Sequence, residues 1–404
     1  MLKNIVIVQD YAHINGGNAQ VALTTAIALK DMGYRVILFS GMGAIDNHLL
    51  AHGIEVRCLG QKDLIHSNKL KGMMQGLWNR KAKHGMEQLL EKLNPAETII
   101  HLHGWNKVLS PSIWEPLTKM RFKVVVTMHD FYLFCPNLGL FNYPQKSICD
   151  KRPSSLSCYL CNCDSRNYIL KIWRSIRQMI QWYEINRYGK INIIAIGQTN
   201  NMLTKRYFTD HIQHIYSINN PVQIHTNHPI DIAKNNVYLF IGRLSTEKGI
   251  DLFCRAITEL GLKGRVLGDG YLLDTYRKKY PNIDFEGWVP SEKIQEYLTD
   301  VKALLFPSLL YEGLPLTPIE MKPYGIPCIV PDKCAAAELI TDGKDGYIFK
   351  IGDLKSLKDC ILKLEKADLK TMSTWIIQHF NEHEYSMEQH IEKLVLCYNA
   401  ILNS

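Results

Sequence analysis

The sequence predicts an α/β protein of two doubly wound, Rossmann-like domains facing each other across a cleft. Three observations carry that expectation. Short apolar runs of strand length end in polar residues, and helical stretches alternate with them along the chain. The 404 residues exceed one ordinary core and suit two. An Asn-Pro pair inside SINNPVQIHTNHP (217–229) divides the series and marks a linker. The expected domains are residues 1–220 and 221–385, with a terminal helical segment at 386–404.

Composition narrows the class. Apolar residues at 46% and charged residues at 21% describe a globular chain and exclude a disordered one. No run reaches eighteen apolar residues, so no membrane span is expected. The opening apolar stretch is cut by Gln9 and Asp10, which reads as a buried strand and not a signal peptide. The 11 cysteines lack a short repeated framework, so a reduced, cytoplasmic setting is expected. A net charge of +8 favours an anionic partner: a nucleotide, a phosphate-bearing substrate or a membrane surface.

In the first domain, NIVIV (4–8) is a strand and GGNAQVALTTAIALKDMGY (16–34) a helix entered through Gly16 and Gly17. YRVILF (34–39), ETIIHLHG (97–104), FKVVVTMHD (122–130) and INIIAIG (191–197) are further strands. His103, His129 and Asp130 then fall at strand carboxyl ends, where open α/β sheets collect ligands. The second domain runs through the strand NNVYLFIGRL (235–244), the helix GIDLFCRAITEL (249–260), and strands in GRVLGDG (264–270), NIDFEGWV (282–289), ALLFPS (303–308) and IPCIV (326–330).

Gly16-Gly17 lets an anion approach a helix N-terminus, although a plain tight turn explains the pair as well. It is not GxGxxG, which weighs against a nicotinamide dehydrogenase. In FIGRLSTEKG (240–249), Arg243 follows a strand and Lys248 precedes a helix. Two such cations can neutralise a pyrophosphate leaving group without a metal; the alternative is a solvated loop partnered by Glu247. In YEGLPLTPIE (311–320), Thr317, Pro318 and Glu320 have the form of a helix start with a capping box. Glu312 stands at the carboxyl end of a buried strand, where it can grip sugar hydroxyls or lie solvated in a loop.

The order of Gly16-Gly17, His129-Asp130, GRLSTEKG, FEGWV, the E-x7-E of Glu312 and Glu320, and AAAELITDGKDGYIF (335–349) resembles the retaining GT-B glycosyltransferases of glycosyltransferase family 4. The resemblance runs through nearly the whole chain. It implies that Arg243 and Lys248 bind the donor diphosphate, approached by Gly16 and Gly17. Glu312 would hold hydroxyls of the transferred sugar, with backbone amides from Gly313, Leu314, Leu316 and Thr317. Glu320 would hold the ribose, and Gly287 and Trp288 would lie near the base. His129 matches the residue beside the reacting centre, with a satisfied strand-end histidine as its other reading, and Asp130 becomes an acceptor contact. The family mechanism has the acceptor hydroxyl attack from the leaving-group side while the donor phosphate takes its proton, with no metal and no cofactor. Residues 386–404 would cross back onto the first domain, as in relatives. Three positions depart from the family pattern: Met321-Lys322-Pro323 after Glu320, Gly197 at a strand end, and Asn220-Pro221-Val222-Gln223 in the linker.

Cys149, Cys158, Cys161 and Cys163 cluster closely enough to raise a structural zinc, against free thiols in an acceptor-side loop. NYILKIWRSIRQMIQWYEINRYGK (167–190) interleaves Trp173 and Trp182 with five bases and one acid. It reads either as a domain helix whose apolar stripe packs on the sheet, or as an interfacial surface for anionic lipid. The basic stretch Lys62 through Lys83 adds to the second reading. No nucleic-acid motif accompanies the charge. The expected function is transfer of a sugar from a UDP- or GDP-sugar to a glycan or lipid-linked acceptor, at the cytoplasmic face of a membrane, in surface polysaccharide synthesis. A nucleotide-sugar epimerase and a silent binding protein of the same architecture are the alternatives.

Overall fold

A computed structural model describes residues 1–64, 69–222, 224 and 229–404, with the backbone alone at residue 69. The end of the linker therefore lies partly outside the described residues, as do 65–68 of the Lys62–Lys83 stretch. The chain forms two compact units. One comprises Met1–Leu138, Lys151–Pro221 and Glu384–Ser404; the other comprises Gly139–Asp150 and Val222–His383.

The strands of the first half are β1 (Asn4–Tyr11), β2 (Arg35–Met42), β3 (Glu55–Cys58), β4 (Thr98–Leu102), β5 (Lys123–Thr127), the short hairpin β6 (Phe141–Asn142) and β7 (Ser147–Ile148), β8 (Ile191–Ala195) and β9 (Ile212–Ser217). Without the hairpin they make one parallel sheet in the order β3-β2-β1-β4-β5-β8-β9. Ile5 of β1 pairs with Val36 on one side and Ile99 on the other. A strand flanked by neighbours and covered on both faces needs an unbroken apolar run, and Ile5 to Val8 are fully buried.

Three helices of this unit border the features described below: α1 (Gly17–Asp31), α2 (Lys69–Leu77) and α3 (Tyr168–Tyr188). The expectation that an apolar stripe of α3 packs on the sheet is wrong. Its buried residues are largely polar: Lys171, Ser175, Arg177, Gln178, Gln181 and Glu184. Ile169, Ile172, Ile176, Met179 and Tyr183 face outward. The cause is the loop beneath it. Gln178 and Trp182 donate to the Leu133 carbonyl and Gln181 to that of Tyr132, while Gln181 accepts from the Trp105 indole. A buried irregular segment must satisfy its carbonyls, and α3 spends its inner face doing so.

The second unit carries β10 (Val237–Ile241), β11 (Lys263–Leu267), β12 (Ile283–Gly287), β13 (Val301–Leu305), β14 (Cys328–Pro331) and β15 (Gly346–Phe349). They form a parallel sheet in the order β12-β11-β10-β13-β14-β15. Apolar clusters fill both faces; one joins Phe253 and Ile257 of α4 (Ile250–Leu260), and the other takes in Met321 from α5 (Leu316–Met321). Phe141 of the hairpin belongs to the first of these clusters, which is why residues 139–150 group with a unit whose other residues begin only at Val222. The final helix, α6 (Met387–Asn403), belongs to the first unit. There Tyr398 hydrogen-bonds His101 at 2.6 Å, and His390 bonds Thr25 at 3.1 Å. Among the described residues no helix is long and apolar enough to cross a membrane.

Candidate active site

Each sheet reverses its winding where the first strand meets the fourth, between β1 and β4 and between β10 and β13. Connections leave in opposite directions there, which opens a crevice at the carboxyl ends. In the second unit the crevice is a cavity of about 220 Å³. Arg243, Lys248, Glu312, Leu316 and Thr317 line it, together with the β10 end.

The loop after β10 is held from within. The buried Glu247 carboxylate accepts from Ser245 Oγ at 2.8 Å and from Arg243 Nη2 at 3.1 Å. Arg243 thus has the Glu247 partner that the sequence offered, a buried one, and it also lines the cavity. Gly249 closes the loop at φ 74°, and a Cβ there would sit 1.9 Å from the Pro307 carbonyl oxygen. Only glycine allows this approach, which places Lys248 against the end of β13.

Lys248 Nζ donates to Glu312 Oε1 at 2.7 Å, and Ser308 Oγ donates to the same oxygen at 2.6 Å. Burial alone would raise the Glu312 carboxyl. The Lys248 charge and hydrogen bond, the Ser308 hydroxyl and the Arg243 charge outweigh it and hold the group below the ordinary range. Glu312 has φ 56°, left-handed backbone for a residue with a side chain. Ser308 was not singled out from sequence; its signal was a lone hydroxyl in the otherwise apolar ALLFPSLL (303–310).

The capping box is not formed. α5 begins at Leu316 with Pro315 as its N-cap and no side-chain cap, so Thr317 is inside the helix. Glu320, freed from that role, is raised to about 7 by burial. Glu320, Gly313 and Leu314 do not line the cavity, nor do Gly287 at the end of β12 and the exposed Trp288. Lys322 points elsewhere: it donates to Asp345 at 2.8 Å and to the Leu339 carbonyl at 2.6 Å.

In the first unit, α1 starts at Gly16 and Gly17 with no side-chain cap, and a Cβ on either glycine would meet nothing within 4 Å. His129 follows β5, and its Nε2 lies 2.9 Å from Nδ1 of His103, which follows β4. Burial, with a contribution from His390, pushes His129 down to about 3, so it is a neutral imidazole at working pH. Asp130 is raised to about 6 by burial, against the lowering effects of the Tyr132 amide, Lys107 and Arg177. The chain thus presents a neutral hydrogen-bonding ring beside a carboxylate that titrates near neutrality.

The zinc reading needs correction. Among the described residues no three His, Cys, Asp or Glu side chains come together as metal ligands. Cys149 lies in the segment that packs with the second unit, while Cys158, Cys161 and Cys163 lie in the first. The buried Lys171 ammonium takes the place a cation would hold, donating to Cys158 Sγ at 3.5 Å. Burial opposes its charge, but the nearby Cys163, Cys158 and Cys135 outweigh that and raise it.

Residues 235–366, about a third of the chain, match the family of glycosyl transferases group 1. The amylovoran biosynthesis glycosyltransferase AmsD of Erwinia amylovora is 31% identical over 161 residues, 36% of this chain and 45% of that one. The lipopolysaccharide 1,6-galactosyltransferase of Salmonella typhimurium is 32% identical over 175 residues, 39% of this chain and 48% of that one. The chain thus spans less than half the length of these curated relatives. HepE from Anabaena, solved with UDP, superposes with a TM-score of 0.68 at 14% identity over 99% of this chain and all of its own. The likeness shows the fold: GT-B, with two Rossmann-like domains.

Proposed function

We propose that the protein is a retaining, metal-independent glycosyltransferase that moves a hexosyl group from a nucleotide-diphosphate sugar to a glycan or lipid-linked acceptor in surface polysaccharide synthesis. The observation that carries this reading is the Arg243–Lys248–Ser308–Glu312 constellation at the β10–β13 switch point. It supplies two cations for a diphosphate and one ionised carboxylate for sugar hydroxyls, in a pocket suited to neither a hydride cofactor nor a bare apolar ligand. The group 1 match covers this constellation, and the relatives' names supply the polysaccharide setting.

In this reading the second unit holds the donor and the first unit, with its C-terminal helix, holds the acceptor. Lys248 exchanges its Glu312 partner for the donor diphosphate, and Arg243 adds the second cation. Glu312, kept ionised, then accepts from sugar hydroxyls. Glu320 takes the ribose, and Gly313 to Thr317 offer amides to the sugar. Gly287 and Trp288 flank the base, and Gly16 and Gly17 approach the phosphates. The leaving diphosphate takes the acceptor proton, so the neutral His129 is a hydrogen-bond partner of the transferred sugar and Asp130 orients the acceptor. UDP is favoured over GDP because HepE and the Staphylococcus aureus structure TarM are both solved with UDP. The enzyme works in the cytoplasm, peripherally at the membrane. The epimerase alternative lacks support, since the named relatives are transferases.

The test is calorimetric binding of UDP, GDP and NAD to the purified protein in chelator, followed by release of UDP from UDP-sugars. Binding of UDP alone without metal is expected. Binding of NAD alone, or of no nucleotide, would defeat the reading.

A further inference from the structure

The inverted packing of α3 leaves two features side by side that lie outside the donor pocket. One is a cavity of about 560 Å³ in the first unit, bordered by α2 and α3. Such a volume is in the range of small-ligand sites. Its walls are mainly apolar, with Leu138, Ile169, Leu170 and Trp173 among them, yet Lys107, Arg166, Arg174 and Arg177 also line it against the single carboxylate of Asp63. The other feature is the outer ridge of α3. Ile169 (72% exposed), Ile172, Ile176, Met179 and Tyr183 (62% exposed) recur at spacings of three and four, one continuous apolar face presented outward.

The cations are only partly answered by protein. Arg174 pairs with Asp164 at 2.9 Å and donates to Asn137. Arg177 donates to the Asn106 carbonyl and lies 4.9 Å from the ring centres of both Tyr132 and Trp173, but its buried Nε has no hydrogen-bond partner among the described residues. The Lys107 ammonium makes no ion pair among the described residues; its backbone amide, not its side chain, is taken by Asp10. Burial holds that ammonium low, with Asp63 and Asp10 opposing and the neighbouring Arg174 and Arg177 adding to the effect. Packing three cations together in an apolar wall is costly unless an anion joins them. Between residues 151 and 190 the only acids, Asp164 and Glu184, are buried and paired with Arg174 and Arg187, so this segment itself exposes no acidic side chain along the ridge.

We infer that this cavity binds the phosphate or diphosphate head of a lipid, with the head against Lys107, Arg174 and Arg177 and the hydrocarbon running over Ile169 onto the α3 ridge. An anion with no apolar tail leaves the walls and the ridge uncovered, and an apolar ligand with no charge leaves the Lys107 ammonium and the Arg177 Nε unanswered. Only an amphiphilic phosphate meets both. This deepens the transferase reading by making the acceptor lipid-linked; the binding site itself stands apart from the donor pocket.

The experiment titrates the full chain with farnesyl diphosphate, farnesol and inorganic pyrophosphate, each with and without saturating UDP. Farnesyl diphosphate is expected to bind roughly tenfold or more tightly than either fragment, and UDP to leave that affinity unchanged. Lys107→Ala should weaken farnesyl diphosphate roughly tenfold. Ile169→Asp, at an exposed position that the fold does not need, should weaken it while leaving pyrophosphate alone. Farnesol binding as tightly would reduce the cavity to an apolar trap. Pyrophosphate binding as tightly would make it an anion hole with no lipid. Competition by UDP would put the probe in the Arg243–Lys248 pocket. Each of these three results overturns the proposal. Failure to bind UDP at all, with farnesyl diphosphate still bound, would instead remove the transferase reading and leave the lipid site standing.

Discussion

Replacing Lys248 by methionine should reverse the pH dependence that Glu312 gives the second unit. In the intact pair the side chains are 24% and 14% exposed, so solvent screens the interaction only weakly. Folding lowers the Glu312 carboxyl from its ordinary value of 4.5. The pair therefore stabilises above that value, and its contribution is lost as pH falls through the folded value. Without Lys248 the carboxylate stays buried with only Ser308 and the more distant Arg243. Burial then dominates, and its pKa rises above the ordinary value. At neutral pH the variant should lose about 3 kcal/mol, the low end of what breaking a buried pair costs, because Lys248 is still a quarter exposed. By about pH 4 the variant's carboxyl is protonated and most of that gap should close. Native-state hydrogen exchange at β13 amides reads the quantity directly, since that strand leads into both Ser308 and Glu312. The double variant Lys248→Met/Glu312→Gln should recover most of the loss at neutral pH. A gap that does not change with pH, or a double variant no better than the single, would show that Glu312 is not held by Lys248 as argued.

Three further outcomes follow from the titrating groups and the loop. UDP-glucose should bind more tightly as pH rises through about 7, where Glu320 ionises and can accept from ribose hydroxyls. Glu320→Gln should flatten that profile, measured by calorimetry between about pH 6 and 8. Asp130→Asn should remove the fall in transfer rate expected below about 6, while leaving UDP-glucose affinity intact. Gly249→Ala should cost about 2–4 kcal/mol and abolish UDP binding, because the Pro307 carbonyl must move and Lys248 moves with it.

Much of the architecture was legible because buried parallel strands write themselves as apolar runs, and helices between them as longer stretches. Where those runs end fixes the strand carboxyl ends, and so Arg243, Lys248, Glu312, His129 and Asp130 could be located before any coordinates. Strand order was not legible, since every parallel strand looks alike in sequence; the switch points that join the Arg243 loop to the Glu312 loop emerge only in the fold. The polarity of α3 misled for a different reason. Its outward isoleucines have helical spacing and pass for a core stripe, and the glutamines that bind Leu133 and Tyr132 carbonyls pass for a solvated face. Periodicity shows that a helix has two faces, not which one the protein covers. Thr317 failed as a cap because the extended segment already ends at Pro315, two residues earlier.

Glu312 unites these strands of reasoning. A left-handed φ at a non-glycine residue costs of order 1 kcal/mol or more, and glycine stands next to it at Gly313, one step from where it would relieve the strain. A chain with no use for the carboxylate could relax this turn by exchanging the two residues. Instead the conformation is held by Ser308, by Lys248, and by the Gly249–Pro307 contact that positions Lys248. The result is an ionised oxygen fixed at the sheet's switch point before any ligand arrives, with the lysine that neutralises it also the cation a diphosphate would claim. Under the proposed function, donor binding would be an exchange of partners and not the assembly of a site. The cost of ordering the turn is met during folding, which leaves more of the donor's binding energy available for transfer.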